Sequence, residues 1–599
     1  MLYYYNVRKV ITNTELAELL RDIAAAYKIK GEKKNRFRII AYERAADAVE
    51  HLSSEAKDLW DEGKLMDVSG IGPSITAHLD ELFKTGKSKH FDEVLKGLPP
   101  AMFELMKVPG IGAKTAYKLS KELGIAKAKN ALRELKKSLR SGRVARIEGF
   151  GEISEQRLEK SIGEVKKGEK RLLLPYATLV ADEVMKWLKK LNTGLEVHPL
   201  GSLRRKASTV GDVDLAISTK KPVEVLHHFV DYPRKLRKIE EGPSSASIML
   251  PGNVQVDAMV SPPRSYGALL QHFTGSKHHN IALREHALKM GFSLNEKGIK
   301  NLKTKKMKNF ETEVEFYEAL GMEWIPPEIR EDTGEIQAAL NNKLPDLVDI
   351  KDIKGDLQIH SSFDIETSHD LGQNSMDEIA KRADELGYEY IAFTEHNPSQ
   401  SGHNERSMIE LLKRKREAVD KLNYSLVKTM KSLKKIFNSL EIDIMPNGEL
   451  PVPETGFDYL DFALCSIHSS FRQNKKDMTN RVLNAFKHPK TRIFAHPTTR
   501  ILNKREGVEF DWGVLFDFFK KSKKIVEINA DPIRLDLPDI LVREAVKFGV
   551  KMSLGTDTHY VTSMGNMVFG VSVARRGWAK KRDIINTYSL EEIEKILIQ

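Results

Sequence analysis

The sequence predicts a multi-domain chain of mixed α+β and α/β architecture, and three observations predict it. Glycine-apolar-glycine turns recur at Gly70-Ile71-Gly72, Gly110-Ile111-Gly112 and Gly149-Phe150-Gly151, each followed by a helical pattern. Downstream, one apolar strand carries Asp212 and Asp214, and a second, Asn253 to Val260, carries Asp257. From Gly355 onward short apolar runs alternate with helical patterns, which is the signature of repeating βα units. A chain of 599 residues has room for about three or four domains.

Residues 1–90 read as short amphipathic helices, with Leu16, Leu19, Leu20 and Ile23 at helical spacing. The three Gly-x-Gly turns stand roughly 40 residues apart, a repeat that a chance tight turn does not produce. They resemble helix-hairpin-helix motifs, in which backbone amides at a helix N-terminus meet a nucleic-acid phosphate and glycine permits the close approach. Gly70, Gly72, Gly110 and Gly112 are therefore candidate DNA contacts, and binding through them should be sequence-independent and salt-sensitive. Residues 91–172 carry the second and third turns.

Residues 173–260 read as a helix followed by strands. Residues i and i+2 of a strand share a face, so Asp212 and Asp214 can hold divalent ions together, with Asp257 completing the cage. Two metals so held would deprotonate a hydroxyl and neutralise a leaving pyrophosphate. Gly201-Ser202 forms a turn before Arg204-Arg205, placing backbone amides, a hydroxyl and Arg205 where a triphosphate would lie. Pro262-Pro263 marks a boundary, and a further unit spans 261–327, ending near Trp324-Ile325-Pro326-Pro327. Its lysines at 300, 303, 305, 306 and 308 suit either a solvated loop or a nucleic-acid phosphate contact. Residues 328–352 read as a polar connector without strong periodicity.

In the last unit, 353–599, the apolar runs end in Gln358-Ile359-His360, Thr394-Glu395-His396, Gly448-Glu449, Ser466-Ile467-His468, Ala495-His496 and Asp557-Thr558-His559. Metal-competent groups at the carboxyl ends of successive strands point to one converging site.

The central residues resemble the DNA polymerase X family. The likeness continues through His272-Phe273-Thr274-Gly275-Ser276 and Asn280, similar to the family's nucleotide-binding segment, and through Arg284 and Asn295-Glu296, similar to its minor-groove contacts. The resemblance implies a nucleotidyltransferase palm at 173–260 and a thumb at 261–327. It implies a triphosphate held by Ser202, Arg205 and Gly211, a sugar against Phe273 and Gly275, and a base pair at Asn280 and Arg284, with Lys277 facing the incoming nucleotide. It also implies Mg²⁺ or Mn²⁺ on Asp212, Asp214 and Asp257, and an amino-terminal lyase-like domain in which Arg38 binds a phosphate. The family's Schiff-base lysine falls at His78, and histidine forms no Schiff base, so the sequence argues against lyase activity.

The carboxy-terminal residues resemble the polymerase-and-histidinol-phosphatase (PHP) domain, which implies a distorted (β/α)7 barrel holding Zn²⁺ or Mn²⁺ and hydrolysing phosphoesters. Carried over, the ligands are His360, Asp370, His396, Glu449, His468, His496, Asp557 and His559, with Asp364 or His369 as alternatives to Asp370. Two positions depart from the family: Gln358 stands where it has a histidine ligand, and Glu395 where it has aspartate. A glutamine amide is a weak ligand for these metals.

The formal net charge of +12 suits a polyanionic partner. The lone Cys465 excludes a disulfide framework. With no long apolar span, the expectation is a cytoplasmic, nucleoid-associated monomer with no membrane contact, acting on gapped or primer-template DNA with dNTPs. The leading reading is a gap-filling DNA polymerase of base excision repair with a PHP 3′–5′ exonuclease or 3′-phosphoesterase. Its alternatives are a phosphoesterase targeted to DNA by a polymerase-like module, and a non-catalytic DNA-end scaffold, against which the intact carboxylates argue.

Overall fold

A computed structural model of the chain describes residues 11, 13–50, 56–61, 63–68, 70–108, 111–151, 155, 158–159, 171–192 and 194–598. Gly110, expected to contact DNA, lies outside them. Contacts divide the chain into two units, one of Met1–Arg171, His227–Asp257 and Asn503–Arg505, the other of Leu172–Leu226, Ala258–Leu502 and Glu506–Gln599.

The first unit opens with helices Asn13–Gly31 and Arg36–Glu50 packed against each other. Leu16, Leu20 and Ile23 of the one, and Ile39, Ala45 and Val49 of the other, are buried in a common core, as their helical spacing requires. The Gly-x-Gly repeats then build the same turn three times. Ile71 N–H donates to the Val68 carbonyl, Ile111 to Val108 and Phe150 to Ile147, at 3.0, 3.0 and 2.9 Å. One residue later Gly72, Gly112 and Gly151 each accept the first bond of a following helical turn, from Thr76, Ala116 and Glu155. Gly70 and Gly149 adopt φ of 94° and 80°, the left-handed region where a side chain would be strained. Helix Pro73–Thr85 starts with proline at its first position and buries Ile75, Leu79 and Leu82, and helix Ala113–Glu122 buries Ala116 and Leu119. Truncating such a leucine to alanine would cost about 2–5 kcal/mol.

In the second unit, strand Glu196–Pro199 pairs antiparallel with Val213–Ser218, the strand carrying Asp214. Leu200, Ala216, Tyr266, Leu269 and Leu270 form a small core under it, and Tyr266 Oη donates to the Ala216 carbonyl at 3.2 Å. Helices Tyr266–Thr274 and Lys277–Lys289 follow, then an antiparallel sheet of Phe292–Asn295, Gly298–Asn301 and Met307–Lys308. Gly267 lies so close to the backbone of Thr312 that a Cβ would meet its carbonyl carbon at 2.2 Å.

The stretch 328–352, read as a connector, is folded. It carries helix Glu335–Leu340, and its Ile329, Ala339 and Leu347 join Phe316, Tyr317 and Leu320 in one core. Two polar residues escaped the pattern because they are buried in pairs: Arg330 with Glu313 at 2.7 Å, and Glu335 with His279 at 2.7 Å.

From Gly355 onward the strands are parallel. Gly355–Ile359, Tyr390–Phe393 and Lys435–Asn438 form one sheet. Glu441–Asp443, Ala463–Ser466, Thr491–Phe494, Ile525–Asn529 and Met552–Gly555 form another. Parallel bridges join His396 to Glu441 and Ile359 to Thr558. Helices separate most of these strands, and the strands are buried almost throughout, which explains their continuous apolar runs. Among the described residues, no helix is long and apolar enough to cross a membrane.

Candidate active sites

The first site is built on a turn bound to a strand. Leu200 N–H donates to the Asp214 carbonyl at 2.8 Å, tying the short helix Gly201–Arg204 to the aspartate strand. Gly201 has φ of 54°, and a Cβ there would come within 2.9 Å of Asp214 Oδ2, so both backbone and space demand glycine. Asp214 is half-buried on the strand, whereas Asp212, expected on the same strand, is exposed in the bend just before it, because the extended backbone begins only at Val213. Asp257, on strand Val254–Ser261, is half-buried and accepts from Gln255 Nε2 at 3.0 and 3.1 Å. Ser202 lies inside the short helix and Gly211 is half-buried just before the strand.

The two arginines divide their work. Arg204 makes a two-nitrogen pair with Glu313 at 3.0 and 2.6 Å, while Arg205 Nε donates to Glu331 at 2.9 Å and its Nη1 to the Thr274 carbonyl at 2.5 Å. Arg205 thus braces the Thr274-Gly275-Ser276 turn, where Gly275 has φ of 70° and Ser276 caps the next helix by accepting from His279 N–H. Phe273 is half-buried and Lys277 and Arg284 are exposed. Asn280, expected at the base pair, accepts from Gln271 Nε2 and donates to the His272 carbonyl, both at 2.8 Å.

In the first unit, Cβ atoms built on Gly72 and Gly112 would meet nothing within 4 Å among the described residues. Arg38 donates to Asn35 Oδ1 at 3.2 Å and lies 5.5 Å from the centre of the Tyr27 ring. His78 stacks on His90 at 4.0 Å, and His90 meets the Tyr27 hydroxyl at 2.9 Å. Burial lowers the pKa of His78, whose ring belongs to this stacked cluster.

The second site gathers most of the expected strand-end groups. His360, His396 and His559 offer ligand atoms within 4.8 Å of one another, as do His360, Glu441 and Asp557. The sets His396, Glu441, His468 and His369, Asp443, His468 do the same. Glu441, fully buried, is the centre. Its Oε1 lies 2.7 Å from His496 Nε2 and 3.2 Å from His468 Nε2, and its Oε2 3.2 Å from His360 Nε2. Burial would raise the Glu441 carboxyl, but the charges of His396 and His496 with bonds from His360 and His468 hold it well below the usual range. Asp443, 2.7 Å from His468 Nδ1 and 3.0 Å from His369 Nε2, is likewise held down against its burial.

His396 Nδ1 and His559 Nε2 are buried without a hydrogen-bond partner among the described residues, which fits groups meant for a cation. His496 and Asp557 sit at φ of 27° and 53°, a strained backbone for non-glycine residues that recurs at functional sites.

One expectation is corrected, Glu449 as a ligand, and three other positions gain definite surroundings. Glu449 is exposed past a turn and joins none of the groups; the carboxylate there is Glu441, on the strand itself. Asp370 is largely exposed, 3.9 Å from His559 Nε2, while His369 enters a group directly and Asp364 is exposed outside them. Gln358 donates from Nε2 to Glu441 at 2.9 Å and accepts from Asn529 at 3.2 Å, so its amide is a buried linker. Glu395 pairs with the buried Lys415 at 2.7 Å. Glu441 and Asp443 had a sequence signal, since Leu440-Glu441-Ile442-Asp443-Ile444 repeats the alternation that marked Asp212 and Asp214.

An aspartate pair at the head of a strand, beside a basic turn, defines a nucleotidyltransferase-like centre, and the histidine cluster adds a second metal-competent one. The DNA polymerase beta thumb family matches residues 269–331, and a helix-hairpin-helix domain family matches 11–88. The DNA polymerase/3′–5′ exonuclease PolX of Bacillus subtilis (strain 168) is 32% identical over 585 residues, 97% of this chain and 99% of that protein. A probable phosphatase of Thermoanaerobacter sp. (strain X514) is 23% identical over 36% of this chain and 84% of its own length. DNA polymerase lambda of Rattus norvegicus is 23% identical over 47% of this chain and 48% of its own. The chain belongs to the family X DNA polymerases.

Proposed function

We infer that the protein is a template-directed DNA polymerase that fills short gaps in base excision repair and carries a second, hydrolytic centre for primer 3′ ends. One observation carries the reading: the near full-length match to a polymerase/exonuclease embraces both the aspartate strands and the histidine cluster. In the polymerase reaction a primer 3′-hydroxyl attacks the α-phosphate of a dNTP and pyrophosphate leaves. Asp212, Asp214 and Asp257 would hold Mg²⁺ or Mn²⁺, which when bound activates the hydroxyl and neutralises the leaving group. Ser202, Gly211 and Arg205 bind the triphosphate, Phe273 and Gly275 the sugar, and Asn280 and Arg284 the base pair, so the protein's own share is positioning and charge stabilisation. Lys277 stands beside the incoming nucleotide.

The PHP assignment rests on the parallel strands and their end groups. Lys435–Asn438 and Glu441–Asp443 read as halves of one bent strand, and with the bridges at His396–Glu441 and Ile359–Thr558 this supports a distorted seven-stranded barrel. His360, His396, Glu441, Asp443, His468, His496, Asp557 and His559, with His369 or Asp370, would hold Zn²⁺ or Mn²⁺. Such ions supply Lewis acidity and an activated water for phosphoester hydrolysis. The domain limits 1–90, 91–172, 173–260, 261–327 and 353–599, a monomeric state and a cytoplasmic, nucleoid-associated location complete the proposal. Primer extension on one-nucleotide gapped DNA tests it; a folded wild-type protein that extends nothing with dNTP and Mg²⁺ or Mn²⁺ would overturn it.

A further inference from the structure

The nucleotide-facing arginine is not held by the palm and thumb alone. Glu331, which accepts from Arg205 Nε, also accepts from Arg576 Nη1 at 3.1 Å, and the same nitrogen donates to the Arg205 carbonyl at 2.8 Å. Arg576 is the last residue of helix Met567–Arg576, in the histidine-bearing α/β region. Its Nε and Nη2 each lie 2.7 Å from Asp539 Oδ2, at the start of helix Asp539–Phe548. The neighbouring Arg575 donates to Glu328 at 2.8 Å and to the Val348 carbonyl at 3.0 Å. The result is an alternating chain of charges, Asp539, Arg576, Glu331, Arg205, which ends on the Thr274 carbonyl beside Gly275.

Such a chain has a directional consequence. Glu331 divides its charge between two guanidinium groups. Without Arg576 it would draw on Arg205 alone, and the Arg205 main chain would lose its anchor. Arg205 would then present less positive charge, less well aimed, to a triphosphate.

We propose that Arg576 is a positioning residue of the polymerase site: by sharing Glu331 with Arg205 and holding the Arg205 carbonyl, it lets the hydrolytic region set the affinity for the incoming nucleotide triphosphate. This rests on the triphosphate role given to Arg205 above.

The test is steady-state gap filling by the full chain, with dNTP titrated, on Arg576→Ala, Arg576→Lys, Glu331→Gln, Arg205→Ala and the double variant of Arg576→Ala with Glu331→Gln. Arg576→Ala is expected to raise KM for dNTP about tenfold and to change kcat less than about twofold, since an interaction with the bound nucleotide is lost while the reacting atoms are untouched. Arg576→Lys, which keeps the charge without the fork, should fall between. The double variant should raise KM over Glu331→Gln alone by less than Arg576→Ala raises it over wild type, because the shared carboxylate is already lost and only the hold on the Arg205 carbonyl remains to be removed. A purely structural role would lower the melting temperature and the active fraction and leave KM in place. An unchanged KM in Arg576→Ala that melts like wild type overturns the proposal, and if that variant does not fold, an unchanged KM in Arg576→Lys does so. Should Arg205→Ala itself leave KM unmoved, the reading of Arg205 falls and takes the proposal with it; a raised KM there with none in the Arg576 variants sinks the coupling alone.

Discussion

The two metal-competent places on this chain are built in opposite ways. In the α/β region the groups are gathered before any ligand arrives: Glu441 is fully buried, and His360, His396 and His496 are nearly so. At the aspartate strand the exposure is greater, with Asp212 exposed and Asp214 half-buried. Burying carboxylates is costly unless each is paired, and the α/β site meets that cost by setting imidazoles against Glu441, Asp443 and Asp557. A closed cluster suits cutting a single phosphoester, and an open one suits a polymer that must slide past.

The largest effect that could break this comparison lies in the palm. Asp212→Ala or Asp257→Ala should lower primer extension by about 10³-fold or more, since a preorganised electrostatic group is lost at the reacting phosphate. Gapped-DNA affinity should stay within about twofold, because phosphate contacts are made elsewhere. Extension that survives either change would mean the open aspartates are not the centre.

The α/β site should answer to Glu441 and ignore Glu449. Glu441→Gln is expected to weaken bound metal and 3′-end hydrolysis by about 100-fold, while Glu449→Gln changes either by less than about twofold. Metal stoichiometry by elemental analysis, beside a nuclease assay, checks both. Equal losses in the two variants would return the ligand role to Glu449. Primer extension should persist in Glu441→Gln if the two places act separately.

A third effect concerns stability where Arg204 and Arg330 meet the buried Glu313. Burial opposes ionisation of Glu313, yet Arg330 and Arg204 hold its carboxyl down to about 2 from an ordinary 4.5. Because the folded-state value is depressed, its stabilisation is full above the ordinary value and is lost as pH falls from there toward about 2. Glu313→Ala, which strands two arginines, should cost about 3–5 kcal/mol. In acid titrations followed by circular dichroism, Glu313→Gln should show a shallower loss of stability across that window; an unaltered slope would deny the pairing its weight.

The smallest expected signal is an absence. Borohydride should trap no adduct on helix Pro73–Thr85 with 5′-deoxyribose-phosphate DNA, because His78, stacked on His90, carries no primary amine to form a Schiff base. The nearby Lys84 is paired with Asp80 at 2.9 Å, and Lys87 and Lys89 are exposed. An adduct mapped to any of these three lysines would restore the lyase reading.

What was legible beforehand was local. The hairpin turns could be read because glycine spacing dictates a turn and a helix start, and the structure repeats that turn three times in the same hydrogen bonds. The aspartate strand and the strand-end histidines could be read because alternation fixes the face of a strand and the run length fixes its end. Non-local pairing was out of reach. Residues 328–352 looked like a connector because Arg330 and Glu335 are polar, and only their partners Glu313 and His279 bury them.

By itself, then, the sequence determined the repeated turns, the apolar strands from Gly355 onward and the residue types that can hold a metal, since each is written in a short window of chain. The tertiary structure alone decided that Glu441 and not Glu449 lies at the centre, that Gln358 serves as a linker between Glu441 and Asn529, and that Arg576 reaches Arg205. Those choices depend on which side chains distant in sequence are brought within about 3 Å in a dry interior, where an unpaired charge is too costly to persist.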